Sequence, residues 1–190
     1  MKIDFISSSL IGGGAQRVMA LLANHFVTKG HEVTIITFNN GDDYLLDSNI
    51  KRVRLHKGIF KNHTLRTLVN LIRYYKSKSN RPDVCISFIS KMNFSSIISC
   101  KIFSVKIIAC EHNNHLVQTN AVVNFTWKYL YRNAGAVTVL TAFDKLFFEK
   151  LGASVVVMPN PSTFLSIVDN SHQREKVILA VGSLNRVYHK

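Results

Sequence analysis

The segment Ser7-Ser8-Ser9-Leu10-Ile11-Gly12-Gly13-Gly14-Ala15-Gln16-Arg17 separates two stretches with different hydrophobic patterns. Residues 3–6 before it form an apolar run that is typical of a buried strand. After it, apolar residues recur at three- and four-residue spacing through Phe26, which predicts a helix. A strand, a glycine turn and a helix leave unpaired backbone N–H groups and the positive end of a helix dipole at the strand's carboxyl end, where anions bind. The pattern therefore predicts one wall of a ligand site. The alternative is a tight turn that uses glycine only for its backbone freedom.

Further units of the same kind follow along the chain. Apolar, β-branched runs predict strands at residues 33–38, 84–88, 105–110, 136–140 and 155–158, with helices between most of them. Residues 50–55 indicate a peripheral strand, and residues 121–131 fit either a strand or a helix. These units predict an α/β fold, a Rossmann-like three-layer domain with a mostly parallel sheet. We expect this domain at residues 1–161, a linker at 162–176, and the first strand of a truncated second domain at 177–190.

The net charge of +13 is concentrated in one part of the chain. Residues 51–81 contain ten Lys or Arg and no acid. Within them, the spacing of Leu65 through Tyr75 predicts an amphipathic helix with Arg66, Asn70, Arg73 and Lys76 on its polar face. Such a surface attracts polyanions, so we expect Arg66, Arg73 and Lys76 to bind an anionic membrane surface or another polyanion. A merely solvated face is the alternative.

The three cysteines, Cys85, Cys100 and Cys110, lie in apolar contexts without metal-ligand spacing. They predict buried free thiols in a reducing compartment and no metal site. The N-terminus does not resemble a signal peptide, and no run is long and apolar enough to span a membrane. We therefore expect a cytoplasmic protein. Binding of the basic segment to an anionic bilayer would place it on the inner face of the plasma membrane.

Several short motifs occur in an order that resembles one enzyme family. They are Gly12-Gly13-Gly14-Ala15-Gln16-Arg17, Lys29-Gly30-His31-Glu32-Val33, Pro82-Asp83-Val84, Glu111-His112-Asn113, Pro159-Asn160-Pro161 and Val181-Gly182-Ser183-Leu184. Together they resemble the N-terminal domain of a family 4 retaining glycosyltransferase with the GT-B fold. No single motif is specific, but their order and spacing cover essentially the whole chain.

This resemblance implies two Rossmann-like domains facing each other across a cleft, the N-terminal one holding mainly the acceptor. Gly12, Gly13 and Gly14 would approach the diphosphate and sugar of a nucleotide-diphosphate sugar donor. His112 matches the family's catalytic cleft histidine. The remaining residues expected to line the acceptor side of the cleft are Gln16, Arg17, Glu111 and Asn113.

The same resemblance implies transfer of a hexosyl unit, with retained configuration, to a glycan or polyprenyl-linked acceptor in cell-surface polysaccharide synthesis. It implies no cofactor and no required metal. The second domain of the family usually begins with Gly-Arg-Leu, whereas this chain has Gly182-Ser183-Leu184. Arg186 is the substitute expected for the missing arginine, and Lys190 matches the family's lysine by position. Because half of the cleft is missing, we expect the 190-residue chain alone to be inactive.

Two other functions compete with this one. A nicotinamide-dependent oxidoreductase needs Gly-x-Gly-x-x-Gly and an acid after the second strand, but this chain has Arg17 at the sixth position and Phe38-Asn39-Asn40 after that strand. A basic nucleic-acid- or anionic-membrane-binding module without catalysis is the second alternative. Aromatic residues are not interleaved with the cations, as base stacking would need, so no nucleic-acid partner is expected.

Overall fold

A computed structural model describes residues 1–116, 120–162 and 177–178 of the chain. Within these residues, seven strands form one sheet in the order β3-β2-β1-β4-β5-β6-β7, and each neighbouring pair is parallel. The strands are β1 (Lys2–Ser7), β2 (Glu32–Thr37), β3 (Lys51–Arg54), β4 (Val84–Phe88), β5 (Lys106–Cys110), β6 (Ala136–Val139) and β7 (Val155–Val157). The predicted α/β, Rossmann-like fold is confirmed, and residues 50–55 supply the edge strand β3.

Five α-helices connect the strands in this part of the chain: α1 (Gly14–Thr28), α2 (His63–Lys76), α3 (Ser90–Ile102), α4 (Ala121–Phe125) and α5 (Ala142–Lys150). One core cluster joins α1 to one face of the sheet, through Met19 against Phe5 and Ile35 among others. A second cluster joins α2, α3 and α5 to the opposite face, around Ile6, Trp127 and Phe148. The sheet therefore lies between two helical layers.

Residues 121–131, which fit either a strand or a helix, are helical. After α4 the chain makes a π-helical turn at Thr126–Leu130 and a 3-10 turn at Tyr131–Asn133. Because β5 and β6 are parallel neighbours, the chain between them has to return along one face of the sheet. The wider π turn brings Trp127 and Tyr131 onto the same buried acceptor, described below.

The buried face of α2 differs from the predicted one. Leu65 is 43% exposed, whereas Asn70, predicted on the polar face, is only 9% exposed. The Asn70 amide donates to the carbonyl oxygens of Leu55 and Lys57 at 2.8 Å each, so it satisfies backbone groups beyond the end of β3. A buried polar residue is stable here because its hydrogen bonds are made.

Some predictions lie outside the described residues. These are most of the linker at 162–176, the strand expected within 177–190, and the two cations Arg186 and Lys190. The three cysteines are free and buried, as predicted. Among the described residues, none of the helices has the length and hydropathy needed to cross a bilayer.

Candidate functional site

The glycine turn lies at the carboxyl end of β1 and leads directly into α1. Gly12 and Gly13 have positive φ angles of 27° and 118°, which favour glycine, and Gly13 is the N-cap of α1. Within the described part of the chain, no side chain caps the first turn of this helix. The Gln16 side chain reaches back over the turn, since a Cβ atom added at Gly13 would lie 2.7 Å from its Oε1.

The loop after β2 packs against this turn. The Asp43 carboxylate accepts a hydrogen bond from the backbone N–H of Gly12 at 2.7 Å, and the Tyr44 hydroxyl donates to the carbonyl of Gly13 at 2.8 Å. The Asp43 carboxylate thus pairs with a backbone N–H group of the turn that leads into α1. The contact is internal to the chain, so the anion site expected at this turn stays a prediction.

His112 lies just after β5, at the same carboxyl edge of the sheet. Its imidazole stacks on Phe88 of β4 with a centroid separation of 5.3 Å and an interplanar angle of 19°. Burial lowers the pKa of His112 below the ordinary histidine value of 6.5. The ring is therefore predominantly neutral at pH 7, with one nitrogen able to donate and the other able to accept.

The glycine turn and His112 follow strands that are separated in the sheet only by β4. From β1 the chain adds β2 and β3 on one side, and from β4 onward it adds strands on the other side. The boundary between β1 and β4 is therefore the topological switch point, where open α/β sheets bind ligands. A cavity of ≈ 130 Å³ lies at the carboxyl ends of β5 and β6, where Val18 and Leu22 of α1 line it together with Glu111, His112, Thr138 and Met158 among others. His112 and the second and third turns of α1 therefore line the same cavity, whereas the described glycines 12–14 are not among its lining residues.

Glu111, expected to line the acceptor side, is 2% exposed. Its Oε2 accepts hydrogen bonds from the Ser90 hydroxyl, from Trp127 Nε1 at 3.1 Å and from the Tyr131 hydroxyl at 2.7 Å. Its Oε1 accepts from the backbone N–H of Asn113 at 3.3 Å. The carboxylate thus holds the start of the His112 loop, a network that residue spacing in the sequence did not reveal.

His115 makes contacts that the sequence patterns do not indicate. Sequence patterns assign it no role beyond that of a loop residue, but its Nδ1 lies 2.8 Å from Asp144 Oδ1. Its ring also stacks on Phe147 at 4.3 Å with an interplanar angle of 9°. A Thr followed three residues later by an acid, as at Thr141 and Asp144, is a sequence signal for the start of a helix, but it does not indicate the pairing with His115.

The other residues that the resemblance places in the cleft are exposed or half-buried. Gln16 is half-buried at the first turns of α1, and Arg17 on the next position is exposed. Asn113 is exposed beside His112. The structure thus brings Gln16 to the glycine turn and Asn113 to the histidine loop.

Part of the basic segment is neutralised by an acid from outside it. The Asp42 carboxylate pairs with Arg52, at 2.6 Å, and also with Arg54. Burial opposes its ionisation, but hydrogen bonds and charge from the two arginines outweigh burial and hold the pKa of Asp42 below its ordinary range. The Lys and Arg residues of the basic segment therefore do not form one uniformly charged surface, because Arg52 and Arg54 are paired with an acid.

Arg73 and Lys76 are exposed on α2, and Arg66 is half-buried against Gly58. Arg73 borders an open groove of ≈ 640 Å³ together with Arg54, His56 and Lys57. Among the residues that the structure describes, no acid lines this groove. The groove therefore gives α2 and the end of β3 a basic surface.

Comparisons with known proteins show the family to which the chain belongs. The family model described as Glycosyltransferase Family 4 matches residues 12–161. A curated relative in Campylobacter jejuni subsp. jejuni serotype O:2, "GalNAc-alpha-(1->4)-GalNAc-alpha-(1->3)-diNAcBac-PP-undecaprenol alpha-1,4-N-acetyl-D-galactosaminyltransferase", is 29% identical over 97% of this chain and 53% of its own length. "Amylovoran biosynthesis glycosyltransferase AmsD" of Erwinia amylovora is 31% identical over 96% of this chain and 52% of its own length.

Among solved structures, the "lipopolysaccharide outer core galactosyltransferase WaaB apo form" is similar to this chain with a TM-score of 0.65 and 19% identity. That match covers 88% of this chain and 48% of the galactosyltransferase, and it shows a shared fold. The chain spans about half the length of the curated relatives it matches. Because the family model matches residues 12–161 of the 190, the chain belongs to Glycosyltransferase Family 4.

Proposed function

We propose that this chain forms the acceptor-side half of a retaining glycosyltransferase. The enzyme would move a hexosyl unit from a nucleotide-diphosphate sugar to a glycan or lipid-linked acceptor in cell-surface polysaccharide synthesis. The observation that carries the proposal is the cavity that His112 shares with Val18 and Leu22 of α1, on the same carboxyl edge of the sheet as the switch point. Family membership supports the same reaction class.

In this mechanism the donor's diphosphate approaches the head of α1. There it takes the place of the Asp43 carboxylate at the Gly12 N–H, where the helix dipole favours negative charge. The chain's own backbone donors would then stabilise the leaving diphosphate without a metal or a cofactor. A neutral His112 would orient a hydroxyl of the transferred sugar, or would share the charge that develops on the sugar through its unprotonated nitrogen.

The remaining cleft residues have supporting positions. Gln16 and Arg17 at the start of α1, and Asn113 beside His112, would hydrogen-bond the acceptor or the sugar. Glu111 would act from behind, because its Oε2 already carries three internal donors. Arg186 and Lys190 are proposed as donor-side cations from their place in the sequence.

The test uses the protein encoded by the complete reading frame, assayed for transfer from UDP-N-acetylgalactosamine, UDP-glucose and UDP-galactose onto extracted lipid-linked glycans. We expect His112→Ala to lower turnover by about 10²-fold or more. His31→Ala, in the loop before β2, is the matched control and should retain turnover. The 190-residue chain alone should transfer no sugar. Turnover by that chain, or full activity of His112→Ala, would contradict the proposal.

We also propose that the α2 surface binds an anionic membrane, which would bring the cleft to a polyprenyl-linked acceptor. Two observations support it. Arg73 and Lys76 are exposed beside the basic groove, and the aliphatic side chains of Ile59 and Leu65 are 81% and 43% exposed near the start of the same helix. Cations with adjacent exposed aliphatic groups are typical of interfacial binding.

Vesicle flotation separates this proposal from nucleic-acid binding. We expect binding to vesicles of phosphatidylglycerol and phosphatidylcholine, and loss of most binding in Arg73→Glu/Lys76→Glu. Lys29→Glu/Lys150→Glu changes the net charge equally at exposed sites outside α2 and should still bind. Binding to single-stranded RNA at moderate salt, without vesicle binding, would favour the nucleic-acid module instead.

A further inference from the structure

The loop that carries His112 is held on both sides of that residue. On its N-terminal side, Glu111 continues the pairing with β6, because its backbone N–H donates to the Thr138 carbonyl at 2.8 Å. Its side chain is fixed by the Ser90, Trp127 and Tyr131 donors described above. Asn113 and Asn114 in the middle of the loop are exposed. One anchor alone would leave the later half of the loop free to move.

The second anchor is His115. Its backbone N–H donates to Asp144 Oδ1 at 3.1 Å, and its Nδ1 lies 2.8 Å from the same oxygen. Its ring lies between Phe147 at 4.3 Å and Phe143 at 4.7 Å. The His115 and Asp144 side chains are only 10% and 7% exposed, so this contact is shielded from water and from salt.

Asp144 is itself held at the start of α5. Its Oδ2 accepts from the Thr141 hydroxyl at 2.6 Å, while Thr141 caps the helix by accepting from the Asp144 N–H at 3.2 Å. Partial burial opposes ionisation, but the hydrogen bonds from Thr141 and His115 outweigh it and keep the pKa of Asp144 below its ordinary range. The carboxylate is therefore charged at neutral pH and attached to a rigid element.

We propose that His115, bound to Asp144, is a positioning residue that holds the His112 imidazole against Phe88 at the cavity. Glu111 and His115 anchor the two ends of the five-residue segment 111–115, whose central part would otherwise be free to reorient. The inference rests on the proposed function, since only sugar transfer makes the orientation of His112 matter. The physical claim, that breaking one anchor moves His112, is independent of any sugar.

The experiment follows His112 itself by NMR in the 190-residue chain. The Phe88 ring shifts the His112 Cε1–H resonance away from its position in the urea-unfolded chain. His115→Phe keeps an aromatic ring against Phe147 but removes Nδ1. We expect the His112 resonance to move by at least half of the distance to its unfolded position. Amide exchange across residues 112–116 should become at least ten-fold faster.

Two further variants complete the test. His115→Asn places an amide donor near the former Nδ1 position and should restore most of the His112 shift. Glu149→Gln, which breaks the exposed 3.6 Å pair with Lys145 on the same helix, should leave the shift unchanged. If His115→Phe fails to fold, His115→Ala is measured in the same way, with His115→Asn as its rescue.

An unmoved His112 resonance in His115→Phe, with a lower urea midpoint, would overturn the proposal and leave His115 with a structural role only. The same holds if His115→Asn moves the resonance as far as His115→Phe does. Failure of the sugar-transfer assay would overturn the proposed function while leaving this coupling measurable, so the two failures are distinguishable.

Discussion

His112 is a titratable side chain whose surroundings decide its charge. It stacks on Phe88 and borders a small cavity, and burial disfavours its protonated form. A neutral imidazole can both donate and accept at the cleft, whereas a protonated one only donates. The packing of His112 at the carboxyl edge of the sheet thus determines its charge.

The burial of His112 also predicts how its imidazole titrates. The NMR midpoint of His112 should lie below that of the same residue in the urea-unfolded chain, because folding buries the ring and lowers its pKa. Phe88→Ala opens the site to water and should raise the midpoint toward the unfolded value. A midpoint at or above the unfolded value in the native chain would contradict the burial argument.

At the scale of elements, the glycine turn and the segment between β5 and β6 shape the site. The turn needs a φ angle of 118° at Gly13, whereas a Cβ atom added at Gly14, the first residue of α1, would meet nothing within 4 Å. The π turn after α4 lets Trp127 and Tyr131 donate to one oxygen of Glu111. Each element is therefore specified by a local geometry rather than by hydrophobic burial alone.

Gly13→Ala should lower the free energy of unfolding by about 1–3 kcal/mol, because an L side chain is strained at this φ angle. It also has to displace the Gln16 amide. Gly14→Ala is the matched control: at the first helical position it should be neutral or stabilising by up to about 1 kcal/mol. Urea unfolding measures both. Equal effects of the two substitutions would show that the backbone at Gly13 is not strained for alanine.

Tyr131→Phe should cost about 1–3 kcal/mol of unfolding free energy, since it removes a donor to the buried Glu111 carboxylate and a partner of Asn93. Tyr129→Phe two residues earlier, where the ring is 40% exposed, should change stability by less than about 0.5 kcal/mol. Thermal or urea unfolding of the pair tests the network. A neutral Tyr131→Phe would mean that the hydroxyl does not stabilise Glu111.

At the scale of the whole molecule, several charged side chains are paired with an opposite charge or hydrogen-bonded to backbone carbonyls, and one carboxyl group is buried. Asp42 neutralises part of the basic segment, and the Arg81 guanidinium donates to the carbonyls of Tyr75 and Lys76. Asp4, 4% exposed in the central strand β1, accepts a hydrogen bond from the Tyr75 hydroxyl at 2.9 Å. Burial raises the pKa of Asp4 to about 7, although the bonds from Tyr75 and Thr34 and the charge of Lys51 oppose that rise.

This buried carboxyl predicts a pH dependence of global stability. Between the ordinary value of 3.8 and about 7, the folded state holds a proton that the unfolded state has lost. The free energy of unfolding should therefore fall as pH rises through that window, by at most about 1.4 kcal/mol per pH unit from this group. Asp4→Asn should remove the slope and exceed the wild-type stability at pH 8.

Urea unfolding at pH 5 and pH 8 measures this effect. Glu149→Gln, at an exposed surface pair, is the control that should leave the slope unchanged. An Asp4→Asn variant that is less stable than the wild type at pH 8 would show that Asp4 is held charged in the fold.

The strands, the glycine turn and the family could be inferred from local patterns. Apolar runs at residues 33–38 and 84–88 marked buried strands, because a parallel sheet covered on both faces leaves few polar positions. Thr141 caps α5 by accepting from the Asp144 N–H, a contact that depends only on residues three apart in the sequence. The placement of His112 directly after β5 was also local information. These features are set by neighbours along the chain.

The remaining features depend on residues far apart in sequence. The burial of Asn70 follows from carbonyl groups 15 and 13 residues away, and the pairing of His115 with Asp144 spans 29 residues. Asp42 divides the basic surface because the parallel register places β3 beside β2. The sequence by itself determined which elements form and which edge of the sheet holds the site. Only the tertiary structure decided which polar groups meet there, because hydrogen bonds and ion pairs depend on distances that folding creates.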